Sequence, residues 1–175
     1  MALLISHRGN LNGINNNLEN TKQYIDNALN KGYYVLVDVF LIGSMHLALG
    51  IDNPVERIEL EFLKQLKIIV RTKDIKCFQF LLENKIHCFY QDFHSTTLTN
   101  GGLIWTSNSN ILTKKCIYAM PEWNLEDINI CNTMPCSGIC SNFIEKILLA
   151  RVEHHFNNQT SLDAVLVIQK YIRSK

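Results

Sequence analysis

His7 and Arg8 stand side by side before Gly9, at the end of the apolar run Ala2-Leu3-Leu4-Ile5-Ser6. A histidine in that position can move protons near neutral pH, and an arginine beside it can grip a phosphate oxygen through paired N–H bonds. Asp38 interrupts the run Tyr34-Val35-Leu36-Val37-Asp38-Val39-Phe40. A carboxylate inside so apolar a strand is costly unless it is paired, hydrogen-bonded or on a metal. Strand alternation sets it on the face shared by Leu36 and Phe40. Glu19-Asn20-Thr21 open a helical pattern, where an acid in the first turn is favourable. Glu122, in Pro121-Glu122-Trp123, follows a strand and either faces the same pocket or begins a helix. Each has a plainer explanation: a loop histidine, a surface arginine, an aspartate satisfied by a neighbouring arginine or backbone N–H. Their order along the chain is what makes them informative.

The elements that would carry them alternate. The apolar runs at Ala2–Ser6, Tyr34–Phe40, Lys67–Arg71, Ile86–Tyr90, Leu103–Thr106 and Cys116–Met120 read as strands, with a further short one within Pro135–Cys140. Met45–Leu49 is another strand after a turn at Gly43-Ser44. Helices are expected over Glu19–Asn30, ended by Gly32, over Val55–Leu66 after Pro54, from a cap at Asp74 to about Glu83, over Asn142–His155 and over Ser161–Arg173. Strands alternating with helices point to a mostly parallel sheet or barrel.

The 175 residues suit one domain, and 47% apolar with 19% charged residues is ordinary globular composition. A net charge of +1, with no basic run longer than Lys114-Lys115, argues against nucleic acid as the main partner. No apolar stretch is long enough for a membrane span. Met1–Ser6 is too short for the apolar core of a signal peptide, so free thiols and a cytoplasmic location are expected. Cys131, Cys136 and Cys140 with His154 and His155 lack the paired spacing of a zinc site, and structural thiols are expected.

His-Arg-Gly after the first strand, Glu-Asn-Thr opening the first helix, a glycine at that helix's end and then Val-Leu-Val-Asp-Val together resemble the glycerophosphodiester phosphodiesterase family. That family belongs to the phospholipase-C-like phosphodiesterase barrels. Ile104-Trp105-Thr106 is similar to its late Trp-Thr strand, and Ser137-Gly138-Ile139-Cys140-Ser141-Asn142 to its last strand. The resemblance covers about residues 3 to 146. It implies an α/β fold, a TIM-type (β/α) barrel trimmed below the usual size of roughly 200 residues or more. On that footing, residues 1–147 form the barrel domain and 148–175 a helical extension, whose apolar stripe packs on the barrel or on a second copy.

The family uses two histidines as acid and base, with a divalent cation held by carboxylates. His7 and Arg8 match the first histidine and its phosphate-binding arginine. Asp38 matches one carboxylate, as a residual metal ligand or a histidine-orienting acid. Glu19, Asn20, Arg71 and Glu122 would line or order the pocket. The chain departs at Leu36, where the family has a glutamate, at Ile51, where it has the second histidine, and near Arg71, where it has a metal-binding acid. His46 and His94 are the available replacements for the missing histidine. One carboxylate beside an arginine does not hold Ca²⁺ or Mg²⁺ well, so no cofactor is expected, and a divalent cation only if the protein is active. A phosphate-binding domain with lost or much reduced hydrolysis is therefore expected, taking a small phosphate-bearing ligand. The alternative is an active hydrolase of glycerophosphodiesters or related small phosphodiesters.

Overall fold

The computed structural model describes residues 2–158, with side chains described to residue 154. Strand β1 (Leu3–His7) leads to helix α1 (Lys22–Asn30), then β2 (Tyr34–Ile42), β3 (His46–Gly50), β4 (Pro54–Ile58), the short α2 (Leu60–Leu63) and β5 (Ile68–Thr72). Helix α3 (Ile75–Glu83), β6 (Cys88–Tyr90), β7 (Thr96–Leu98), β8 (Ile104–Thr106), β9 (Cys116–Ala119), β10 (Gly138–Ser141) and α4 (Ile144–Asn158) follow. The expected helix over Ser161–Arg173 lies outside the described residues.

The fold is mixed α/β around a ten-stranded sheet. The strands β6-β5-β2-β1-β10-β9-β8 run parallel in that order. β2 is long enough to serve three partners. Its first half lies between β1 and β5, and its second half pairs antiparallel with β3, which pairs with β4. At the other end β7 pairs antiparallel with β8.

Period-two alternation sorts the strand residues into two cores. Val35, Val37 and Val39 of β2 face outward, into a cluster with Ile25 and Ala28 of α1, Cys77 and Leu81 of α3, and Ile144 and Ile147 of α4. Leu36 faces inward, where it meets Ile5, Ile69, Phe89, Trp105, Ile117 and Cys140 from the other parallel strands. One face of the sheet thus curls around its own side chains. Cys131 sits in the outer cluster and Cys140 in the inner one, so the sheet separates the two thiols; the described cysteines are free.

No strand ladder joins β6 to β7, and the sheet does not close by pairing. Side chains cross that seam instead. The Asn100 amide donates to Ile86 O at 2.7 Å and accepts from Cys88 N at 3.0 Å, while Asn100 N donates to Cys88 O at 3.0 Å. Thr97 Oγ1 donates to Tyr90 O at 2.8 Å, and Phe89 stacks on Trp105 with centroids 4.7 Å apart.

The later connections carry 3-10 turns in place of helices. Between β8 and β9 there is one 3-10 turn (Ser109–Ile111), and between β9 and β10 there are two (Pro121–Trp123 and Ile128–Thr133). Val55–Leu66 is not the single helix expected from its apolar spacing. Val55-Glu56-Arg57-Ile58 is drawn into a strand by antiparallel pairing with β3, Ile58 opposite Leu47, and only Leu60–Leu63 turns helical. Helix α1 begins at Lys22 after an N-cap at Thr21, so Glu19 precedes it rather than charging its first turn. Asp74 caps α3 as expected, accepting from Lys76 N. Helix α4 runs through position 147, with Ile144 and Ile147 buried in the outer core. Among the described residues, no helix is long and apolar enough to cross a membrane.

Candidate functional site

The inward faces of β1, β2 and β5 carry Ile5, Leu36 and Ile69, and two residues further along each strand come His7, Asp38 and Arg71. The site is therefore the next layer of the inner core, at the strands' C-terminal ends. Register makes the contacts. His7 lies beside Leu36 between β1 and β2, and Asp38 lies beside Arg71 between β2 and β5.

Asp38 is held from two sides. Oδ1 accepts from Arg71 Nε at 2.5 Å, and Oδ2 accepts from Arg71 Nη2 at 2.8 Å and from Arg8 Nε at 2.6 Å. Burial by itself would raise its pKa, but Arg71 first and Arg8 second hold it at about 2. Arg8 can reach Asp38 because its backbone turns left-handed, with φ 57, immediately after the strand. Arg8 N donates to Leu36 O, and Arg8 O accepts from Asn20 N. Gly9 follows with φ 85, and a Cβ there would stand 2.8 Å from the Tyr24 ring and 2.9 Å from the Tyr24 backbone. Glu19 completes the charge cluster, 3.6 Å from Arg8 Nη1.

Asn20 fixes Asp38 from behind. Its amide donates to Asp38 O at 2.9 Å and to Gly50 O at 2.7 Å, and accepts from Asp38 N at 2.9 Å. The side chain thereby occupies the place a neighbouring strand would take. Asn20 orders the site rather than lining its cavity.

Two residues outside the expected set, Asn10 and Asn142, orient His7. Asn10 Oδ1 accepts from Asn15 N, which turns its Nδ2 toward Glu19 Oε2 and Asn142 Oδ1, both at 3.0 Å. Asn142 Oδ1 then faces His7 Nδ1 at 3.0 Å. An amide oxygen only accepts, so the neutral imidazole carries its proton on Nδ1 and its lone pair on Nε2. Glu122 sits one step further back, accepting from Ser141 Oγ and Asn142 N, both at 2.9 Å. It positions Asn142 rather than entering the cavity. Asn142 stands within the last-strand motif, but nothing in the sequence marks its amide as the histidine's partner.

The cavity above this layer measures about 450 Å³. Arg8, Arg71 and Lys73 supply its cationic wall, the neutral His7 stands beside them, and Leu36, Trp105, Met120 and Cys140 form its apolar wall. His94 shares it, from the exposed loop after β6. His46, at the exposed start of β3, does not line it. Ile51 shares a small recess with Asp38, Arg71 and Lys73. Leu36, Ile51 and Arg71, where the resemblance is broken, thus all border the site. Burial pushes the Cys140 thiol well up, away from the thiolate form.

This donor set does not fit a hard divalent cation. Such an ion wants several oxygen ligands, and both Asp38 oxygens are taken by guanidinium N–H groups. Among the described residues, no group of three or more His, Cys, Asp or Glu is placed to hold a metal.

His7 is pushed down to about 3 by burial, then by the positive fields of Arg8 and Arg71. In the unfolded chain the same imidazole takes its proton near 6.5. Between those values the unfolded state binds the extra proton, so stability is lost as pH falls from 6.5 toward 3, at about 1.4 kcal/mol per pH unit. Above pH 6.5 this group has no effect on the slope. Unfolding free energies from urea titrations should therefore drop by about 2–3 kcal/mol from pH 6.5 to 4.5 through His7 alone. His7→Asn should flatten the curve by that amount. An unchanged slope in the variant would assign the acid sensitivity to other groups.

No family model, curated protein or solved structure matches the chain.

Proposed function

We propose that this chain is a trimmed (β/α) barrel domain of the phospholipase-C-like phosphodiesterase type that binds a small phosphate-bearing molecule and has lost most or all phosphodiester hydrolysis. In support of the barrel are the parallel strand order, the inner core drawn from every parallel strand, and a site at the strands' C-terminal ends, where such barrels place their active residues.

The observation that carries the functional reading is the pair of guanidiniums on Asp38. In a metal-dependent phosphodiesterase a cation stabilises charge on the phosphoryl oxygens. Here fixed cations stand in that region, oriented by the carboxylate. Asp38 takes Nε of Arg8 and Nε and Nη2 of Arg71. Each guanidinium has five N–H donors, so further donors remain for phosphate oxygens, with Lys73 beside them. Binding needs no more than this. Hydrolysis needs a proton acceptor and a proton donor on opposite sides of phosphorus. His7, with so low a proton affinity, is a weak base, and Ile51 cannot transfer a proton.

One observation favours the alternative of an active hydrolase: His94 shares the cavity with His7. Both readings are tested together. Aryl phosphodiester and glycerophosphodiester hydrolysis are measured with Ca²⁺, Mg²⁺ or chelator, for the parent, His7→Ala and His94→Ala proteins. Glycerol phosphate binding is measured by calorimetry. Binding without turnover above the His7→Ala background is the expected result. Metal-dependent turnover that disappears in His7→Ala would overturn it, and loss in His94→Ala as well would name the second proton carrier.

A further inference from the structure

The cationic wall accounts for only one side of the cavity. Its rim carries two large aromatic side chains, Phe93 on the loop after β6 and Trp123 on the turn after β9, which are 92% and 68% exposed. Single exposed aromatics are common. Two on different loops at the mouth of one cationic cavity are a recognition arrangement, because each offers a flat face to whatever the phosphate carries.

The rim is also ordered. Trp123 sits on a turn begun by Pro121 and tied down through Glu122, and Asn124 Nδ2 donates to Ser107 O at 2.8 Å. Ser107 N donates to Ser95 O at 3.1 Å, and Gln91 Nε2 to His94 O at 2.8 Å. The loops bearing the aromatics are thus stitched into a continuous margin before any ligand arrives, which lowers the ordering cost of binding.

Between the aromatics the margin is polar, with Gln91, His94, Ser95, Ser107 and the exposed carboxylate of Asp92 facing the cavity. An acyl chain lying there would set hydrocarbon against hydrogen-bonding groups and gain little from them. A planar heteroaromatic ring suits both parts: its faces stack on aromatic side chains, and its edge takes hydrogen bonds.

Resting on the phosphate-pocket reading above, we propose that the ligand is a phosphate ester of a planar heteroaromatic group, of the nucleoside monophosphate kind, with phosphate on the Arg8–Arg71–Lys73 wall and the ring against Phe93 and Trp123.

Calorimetric titration of the full chain with inorganic phosphate, glycerol phosphate, octyl phosphate and adenosine monophosphate tests this. Adenosine monophosphate should bind about tenfold or more tighter than glycerol phosphate. Trp123→Ala and Phe93→Ala, both at exposed positions, should each remove much of that advantage and leave glycerol phosphate affinity unchanged. Equal affinity for the two ligands overturns the inference, as does tightest binding of octyl phosphate or an equal loss for both ligands in the variants. In those outcomes the phosphate pocket still stands. Absence of binding by every phosphate compound would defeat the pocket reading and the inference with it.

Discussion

Asp38→Asn is expected to lower the unfolding free energy by about 3–5 kcal/mol in phosphate-free buffer, and added phosphate to restore part of the loss. The carboxylate takes three charge-assisted hydrogen bonds from two guanidiniums that are only 14% and 16% exposed. Asparagine keeps the shape but removes the countercharge. Arg8 and Arg71 are then left close together with little solvent around them, which is the costly outcome when one partner of a buried ion pair is deleted. A phosphate entering the cavity resupplies negative charge, so the variant should gain more stability from phosphate than the parent does. Urea denaturation of both proteins with and without phosphate measures this. A loss below about 1 kcal/mol would mean that the cluster behaves like a solvated surface pair. Equal stabilisation of the two proteins by phosphate would separate the anion's site from these arginines.

Asn20→Ala should cost at least about 3 kcal/mol. The substitution strips partners from Asp38 N, Asp38 O and Gly50 O, all of which lie under a side chain only 3% exposed. It also places alanine at φ 61, a conformation asparagine adopts more readily. Asn20→Gly separates the two effects, since glycine accepts that φ freely but makes none of the bonds. Thermal and urea unfolding of both variants should rank parent, then Gly, then Ala, with Gly still well below the parent. A near-neutral Asn20→Gly would show that backbone conformation, not the amide clamp, accounts for the residue.

Asp38 and His7 could be read from sequence because each violates a local rule. A charge inside a valine-rich strand and a histidine at a strand's end stand out against their neighbours. Arg71 was legible only as a departure from the family pattern, and its placement directly beside Asp38 depends on the β2–β5 register. Asn10 and Asn142 were not legible. They lie 132 residues apart in the sequence and meet only because β1 and β10 are neighbours. An asparagine in a polar loop looks the same whether it faces water or orients a histidine. Val55–Ile58 misled for a related reason. Its spacing accommodates a helix or a strand, and the pairing edge of β3 decides between them.

Viewed mechanically, the curled sheet resembles a spring clip more than a hoop. Its continuous backbone hydrogen bonding runs from β6 round to β7 and stops, and the last joint consists of Asn100, Thr97 and the Phe89–Trp105 stack. The loop bearing Phe93 and His94 is itself the chain between the two jaws, running from β6 to β7, so the covalent chain and these contacts together close the ring beside the cavity mouth. The one joint made without a strand ladder thus lies beside the cavity, while the arginine floor rests where the ladders of β1, β2 and β5 are unbroken.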